Sequence, residues 1–250
     1  MANNRVRCLI VTLITILLVI LIISAVIYLI RRNQHRIIFD ESCPRPKEYS
    51  TDYDYDYTKA LKDFQNTNSS TDYFRLSLSW SPAFCNGNTR AANSFQCQHN
   101  FNYIVHGLWP SAKRNINQTR SIRIHPRNCR NEQPMSIDTI RKYFCLMPSE
   151  SLMQAEWEKH GTCYWNTPED YFERINNIYS KISLPKNTHE ILSNQTLTKR
   201  QRRQSIIQSF LDINPQLTSD NIEVTMIHKG KDLKEVAFCY DYSFNHTKCL

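Results

Sequence analysis

The stretch that decides the reading of this chain is Glu156-Trp157-Glu158-Lys159-His160-Gly161-Thr162-Cys163. It reads as the end of a helix that stops at Gly161. Residues one turn apart lie on one face, so Ala155, Glu156, Lys159 and His160 stack together and Trp157 points away, toward a core. The shared face carries a carboxylate, an ammonium and an imidazole. A Glu one turn before a His can orient its ring and favour its charged form, and a nearby Lys can hold an anion. Taken alone, the octapeptide is equally compatible with a solvated salt-bridge face.

A second histidine motif upstream changes that balance. His106-Gly107-Leu108-Trp109-Pro110 follows an apolar stretch from Asn100 to Val105 that reads as a strand. Two imidazoles with a Lys and a Glu suit phosphoryl transfer from an RNA 2′-hydroxyl. One imidazole takes the 2′-OH proton and the other protonates the departing 5′-oxygen. An ordinary imidazole pKa of about 6.5 permits both roles near neutral pH. The ammonium offsets charge building on the phosphate oxygens. The substrate carries its own nucleophile, so neither a metal nor another cofactor is needed. DNA, which lacks the 2′-OH, is excluded by the same logic.

The surrounding pattern gives an α+β domain. Phe74, Leu76, Leu78 and Trp80 alternate with polar residues and predict a strand ended by Ser81-Pro82. Residues 111–131 are polar and basic and read as loop. Helices are expected over 135–145, 150–160, Pro168 to Ile182 and Thr198 to Leu211, and two strands near 222–228 and 233–240 close the chain. Helices with mostly adjacent strands suggest α+β architecture.

Upstream of the domain the chain changes character. Leu9 to Ile30 is an uncharged apolar run of 22 residues. At about 1.5 Å per residue it is long enough to span a bilayer, and it reads as an uncleaved signal-anchor after a short tail, residues 1–8. Arg5 and Arg7 before it and Arg31, Arg32 and Arg36 after it leave orientation open. Eight of the nine cysteines, all but Cys8, follow the run, as do acceptor sequons at Asn68, Asn117, Asn194 and Asn245. Both point to an oxidising lumen or exterior for the C-terminal part, hence a single-pass type II protein, with secretion as the alternative. Residues 31–72 read as a flexible stem. They hold Pro44, Pro46 and the run Asp52-Tyr53-Asp54-Tyr55-Asp56-Tyr57, and they have no apolar period. Residues 73–250 carry 22 basic and 15 acidic side chains, a balance that suits a polyanion such as single-stranded RNA.

At this point the chain closely resembles the ribonuclease T2 family over about residues 73–250. The resemblance rests on Leu78-Ser79-Trp80-Ser81-Pro82-Ala83-Phe84-Cys85, on 106–110, on 156–163 and on Phe238-Cys239. It implies an endoribonuclease that cleaves single-stranded RNA through a 2′,3′-cyclic phosphate. It also implies a central antiparallel sheet flanked by helices and stabilised by disulfides. His106 matches the proton donor, His160 the acceptor, Glu156 and Lys159 the supporting pair, and Trp109 an aromatic at the base site. Trp80 and Trp157 read as core. Many members carry a His before the Glu of the second motif, where this chain has Ala155, as bacterial-type members also lack it. His99 or His125 is a candidate substitute. Ser111 stands where some members have an acidic base-reading residue. A rival from another class is an RNA-binding or protein-interaction module on the same fold.

Cys163, just after the 150–160 helix, is expected to pair with Cys129 and pin that helix to the loop after the first motif, and Cys239 and Cys249, ten apart, to close a terminal hairpin. For the remainder, Cys85–Cys97 with Cys43–Cys145 stands against Cys97–Cys145 with Cys43–Cys85.

Overall fold

Alternation makes the first strand. In β1 (Tyr73–Trp80), Phe74, Leu76 and Leu78 are fully buried on one face, while Arg75, Ser77 and Ser79 occupy the other. The computed structural model describes residues 14–26, 43–59, 63–87, 92–113 and 122–250. β1 pairs antiparallel with β2 (Tyr103–Ser111) on one side and with β4 (Asp232–Tyr240) on the other; β3 (Ile222–Ile227) adds to β4, giving the order β2-β1-β4-β3. The second strand runs through the whole His106–Pro110 motif rather than ending before it.

A β-bulge interrupts β2 at the first residue of the His106–Pro110 motif. The register passes from Ser77 opposite Gly107 to Leu78 opposite Val105, so His106 is the unpaired residue. A bulge leaves its extra residue out of the ladder and re-aims the side chain. Two further positions were not expected from the sequence: the short helices α1 (Ser81–Gly87) and α2 (Phe95–Gln98) follow β1, tied together by Cys85–Cys97. Ser81-Pro82 ends the strand as expected but starts a helix, where Pro is tolerated in the first turn.

Helices α3 (Ile137–Tyr143), α4 (Glu150–Lys159), α5 (Pro168–Tyr179), α6 (Thr188–Ser193) and α7 (Lys199–Leu211) follow. Four of them start at side-chain caps: Ser136, Ser149, Thr167 and Thr198 each accept a backbone N–H from the first turn. Arg200-Gln-Arg-Arg lies inside α7, and Arg202 is buried, donating to the carbonyls of Gly230 (2.9 Å) and Asn194 (2.8 Å).

The stem expected over 31–72 is corrected from residue 43 onward. Cys43 is bonded to Cys145, and the buried Tyr53 donates its hydroxyl to the Met135 carbonyl at 2.6 Å. Tyr49 packs edge-on to Phe144, and Asn66 exchanges backbone hydrogen bonds with Arg127. These are single anchors without a helix or strand period, which is why the pattern reads as disordered. Residues 31–42 lie outside the described residues. Residues 14–26 are helical and exposed, and among the described residues no helix is long and apolar enough to cross a membrane. The rest of the proposed 9–30 span, and Cys8, lie outside the described residues. Cys129–Cys163 and Cys239–Cys249 complete the four disulfides of the described residues, so the arrangement with Cys43–Cys145 holds over its rival.

α4 is held by more than apolar packing. Met153 and Trp157 enter the core. On a second buried face, Gln154 accepts from the Met135 N–H (2.9 Å) and donates to Glu158 (2.7 Å), which also accepts from the Glu132 N–H. Burial raises the Glu158 carboxyl from 4.5 to about 7; the two hydrogen bonds oppose the rise, and the charges of Asp54 and Glu132 add to it. The folded state therefore holds this proton more tightly than the unfolded chain does. Its contribution is fully present below about pH 4.5 and is lost as pH rises through about 7. Glu158→Gln removes that term. The drop in melting temperature between pH 5 and pH 8 is expected to shrink in the variant; an unchanged drop would contradict the burial of an ionising Glu158.

Candidate active site

The opening stretch folds into the last turn of α4 and the residue that caps it. The helix ends at Lys159, two residues short of the expected Gly161. His160 is its C-cap, with its N–H bonded to the Glu156 carbonyl at 3.1 Å. Gly161 is needed there because a Cβ would lie 2.3 Å from the Trp157 ring. Two links fix this end in place: Asn128 donates its backbone N–H to the Lys159 carbonyl (2.9 Å), and Cys129–Cys163 crosses beside it. Asn128 does this from a left-handed conformation, with φ of 52°.

Helix end and β2 meet at Glu156, which is buried. Its Oε2 accepts from the Trp109 indole N–H at 2.7 Å and stands 3.9 Å from His160 Nε2; its Oε1 stands 3.6 Å from His106 Nε2. Gly107 makes room for this. A Cβ at 107 would come within 2.2 Å of Glu156 Oε2 and 2.6 Å of Trp109 Nε1. The glycine of the His106–Pro110 motif is thus set by the carboxylate of the Glu156–Cys163 motif. The Trp109 ring lies between the imidazoles, with centroids 5.2 Å from His106 and 5.5 Å from His160. His106, Trp109, Glu156, Lys159 and His160 all line one cavity of about 310 Å³. Trp80 and Trp157 are buried in the core, as expected.

The two histidines occupy opposite electrostatic environments. His106 donates from Nδ1 to Glu235 in a short hydrogen bond, leaving Nε2 toward Glu156 and the cavity. Burial disfavours its charged form, but Glu156 and Glu235 outweigh burial and hold its pKa above the ordinary value; Lys234 opposes them. Glu235 in turn sits below the ordinary carboxyl range, because the His106 hydrogen bond and charge overcome its own burial. His160 is pushed well below the ordinary value, first by burial and then by the charges of Arg127, His106 and Lys159, with Asp63 pulling weakly the other way. Arg127 Nη1 lies 3.2 Å from His160 Nε2. A guanidinium can only donate, so Nε2 is the acceptor and His160 is held in its neutral form. Between the two displaced titrations the site therefore pairs a charged His106 with a neutral His160.

Several of these groups were not legible as site residues. Glu235 lies in a strand of apolar residues, Leu233 to Tyr240, where a buried carboxylate was the available signal. Arg127 and Asp63 gave none, lying in segments read as loop and stem. The Lys159 ammonium sits over the Tyr55 ring, 4.6 Å from its centroid, and does not pair with Glu156. His125 lines the cavity, its Nδ1 accepting from the Ala112 N–H at 3.1 Å; His99 is stacked on Phe95 and lies elsewhere. Asn68, Asn194 and Asn245 are exposed, and Asn117 lies outside the described residues.

Comparison with known proteins places this arrangement. A probable ribonuclease of Haemophilus influenzae is 30% identical over 195 residues, covering 74% of this chain and 63% of the relative. A ribonuclease of Aeromonas hydrophila is 31% identical over 110 residues, covering 44% of this chain and 46% of the relative. The chain thus spans less than two thirds of the length of either. Among solved structures, a ribonuclease-related protein from Calystegia sepium matches with a TM-score of 0.50 at 22% identity, covering 73% of this chain and 92% of that one, a likeness of fold. The sequence model of the ribonuclease T2 family matches residues 71–249, and the chain belongs to that family.

Proposed function

We propose that this protein is an endoribonuclease that cleaves single-stranded RNA by transphosphorylation. The observation that carries the reading is the opposite tuning of His106 and His160 across one cavity. Two titratable groups driven apart by their surroundings mark an acid and a base. His160 Nε2 takes the proton from the 2′-hydroxyl, and O2′ attacks phosphorus. His106 Nε2 gives its proton to the departing 5′-oxygen. The products are a 2′,3′-cyclic phosphate end and a 5′-hydroxyl end, and the two imidazoles have exchanged protonation states. Glu156 supports the charge on His106, Glu235 fixes the ring through Nδ1, and Lys159 and the guanidinium of Arg127 add positive charge around the phosphate. Trp109 offers a face on which a base can stack, tolerant of base identity. The relatives named as ribonucleases support the same activity.

The apolar run 9–30 and the sequons further suggest a membrane-anchored, glycosylated protein with its catalytic domain in the lumen or outside the cell. The disulfides agree with an oxidising compartment.

The test of the chemistry is cleavage of a single-stranded oligoribonucleotide by the full chain, with the product ends identified. His106→Ala and His160→Ala are each expected to lose at least about 10²-fold in rate, and the matching DNA is expected to stay intact. Equal cleavage by all three proteins would reject the assignment. The pH profile of kcat/KM is expected to be a broad bell. His160, lowered, gains activity on its acid side as it becomes neutral at a pH below 6.5, and His106, raised, keeps its proton to a pH above 6.5. An acid limb above 6.5 or an alkaline limb below 6.5 would contradict the tuning. For the anchor, alkaline extraction of expressing cells is expected to leave the protein in the membrane pellet; recovery as a soluble secreted form would reject it.

A further inference from the structure

The family match begins at residue 71, yet the segment before it reaches the active site. Phe64 lines the catalytic cavity, and the Tyr55 ring lies under the Lys159 ammonium. Asp63 grips Arg127 side-on, accepting from Nε at 2.6 Å and Nη2 at 3.1 Å, and Tyr55 donates its hydroxyl to the same carboxylate. The Arg127 main chain is fixed as well, by reciprocal hydrogen bonds with Asn66 of 2.9 Å each way. The whole guanidinium is thereby oriented, with Nη1 turned to His160 Nε2 in the cavity.

We propose that Arg127 is a catalytic residue that binds the scissile phosphate, and that Asp63, from outside the family-matched region, is its positioning residue. This deepens the endoribonuclease reading and rests on it. In the free protein Nη1 occupies the lone pair that the base must use. A phosphate next to His160 offers the guanidinium charged oxygens, which make stronger hydrogen bonds than a neutral imidazole does. Nη1 passes to a non-bridging oxygen, Nε2 is freed to accept the 2′-OH proton, and the bidentate grip of Asp63 keeps the guanidinium from leaving the site. Arg127 has a second effect through its charge. His160 faces Arg127, Lys159 and His106 as cations and Glu156 and Asp63 as anions, and Arg127, 3.2 Å away, is the charge that acts on it most strongly. It keeps the base unprotonated into mildly acidic solution. The bound Asp63 carboxylate is itself held well below the ordinary range: its burial acts against ionisation, and the hydrogen bonds from Arg127 and Tyr55 override it. The clamp therefore stays charged across the working range of the two imidazoles.

The test compares the full-length wild type with Arg127→Gln, Arg127→Lys and Asp63→Asn. Readouts are oligoribonucleotide cleavage against pH and competitive inhibition by inorganic phosphate. Arg127→Gln is expected to lose about 10²-fold in kcat/KM, the scale of one lost transition-state donor. It is also expected to bind phosphate at least tenfold more weakly and to move the acid limb of the profile to higher pH, since a His160 without its cationic neighbour holds a proton longer. Arg127→Lys restores the limb, keeping the charge, and recovers only part of the rate, lacking the fork. Asp63→Asn weakens phosphate inhibition with Arg127 intact. A merely structural role would lower rate and melting temperature together and leave the acid limb in place. If the wild type cleaves RNA and Arg127→Gln keeps its limb and its phosphate affinity, the assignment of Arg127 is overturned and the endoribonuclease reading stands. If the wild type does not cleave RNA, that reading fails, and phosphate titration followed on the His160 resonance decides the Arg127 site by itself: equal affinity in wild type and Arg127→Gln overturns it.

Discussion

One buried carboxylate organises the catalytic end of this molecule. Glu156 receives the Trp109 indole N–H and stands between His106 and His160. A buried carboxylate is costly unless it is paired and hydrogen-bonded, so each of these neighbours is constrained by it. The constraint propagates in both directions along the chain. On β2 it requires Gly107, because any Cβ there would overlap Oε2. On α4 it requires the helix to end where His160 can cap it, and Cys129–Cys163 with Asn128 holds that end against the loop. The bulge at His106 belongs to the same requirement, since a residue kept in the ladder would not be free to turn toward Glu156 and Glu235.

From this centre an asymmetry follows. His106 has two carboxylates, one at each ring nitrogen. His160 has a guanidinium at Nε2, and its buried Nδ1 has no hydrogen-bond partner. The difference arises from Glu156 and Glu235 on β4, which favour the charged form of His106, and from burial and then Arg127, in the loop before Asn128, which disfavour it at His160. The sheet order puts β4 next to β1 and leaves β2 at the edge, so Glu235 reaches His106 past Ser77 and Ser79 of β1, whose side chains are small. The N-terminal segment supplies the other half through Asp63. The two imidazoles are thus tuned apart by elements far apart in sequence, acting on two histidines that belong to short motifs.

The contrast between what the sequence makes legible and what it hides follows the same division. β1 could be read because one face is apolar and the other polar at period two. α5 could be read because Tyr171, Phe172, Ile175 and Ile178 recur at helical spacing behind a Thr167 cap. The four residues His106, Glu156, Lys159 and His160 could be read as a set because short motifs keep their residues close. α4 was placed correctly although it buries Gln154 and Glu158, and its expected range of 150–160 ran one residue too far because a capping imidazole looks like one more helical residue. Glu235 and Arg127 act across 129 and 33 residues of chain, and no local pattern carries such a partnership. The packing of residues 43–59 and 63–72 was hidden for a different reason. It relies on single anchors, Tyr53 on Met135 and Asp63 on Arg127, in a stretch whose acidic composition favours solvent.

The division of labour between the two imidazoles is the centre of this account, and a direct measurement of it is a titration of both ring resonances by NMR, assigned with the two single alanine variants. The account predicts that His106 titrates above 6.5 and His160 below it, so that the interval between them holds one charged and one neutral ring. Coincident midpoints, or the reverse order, would contradict it.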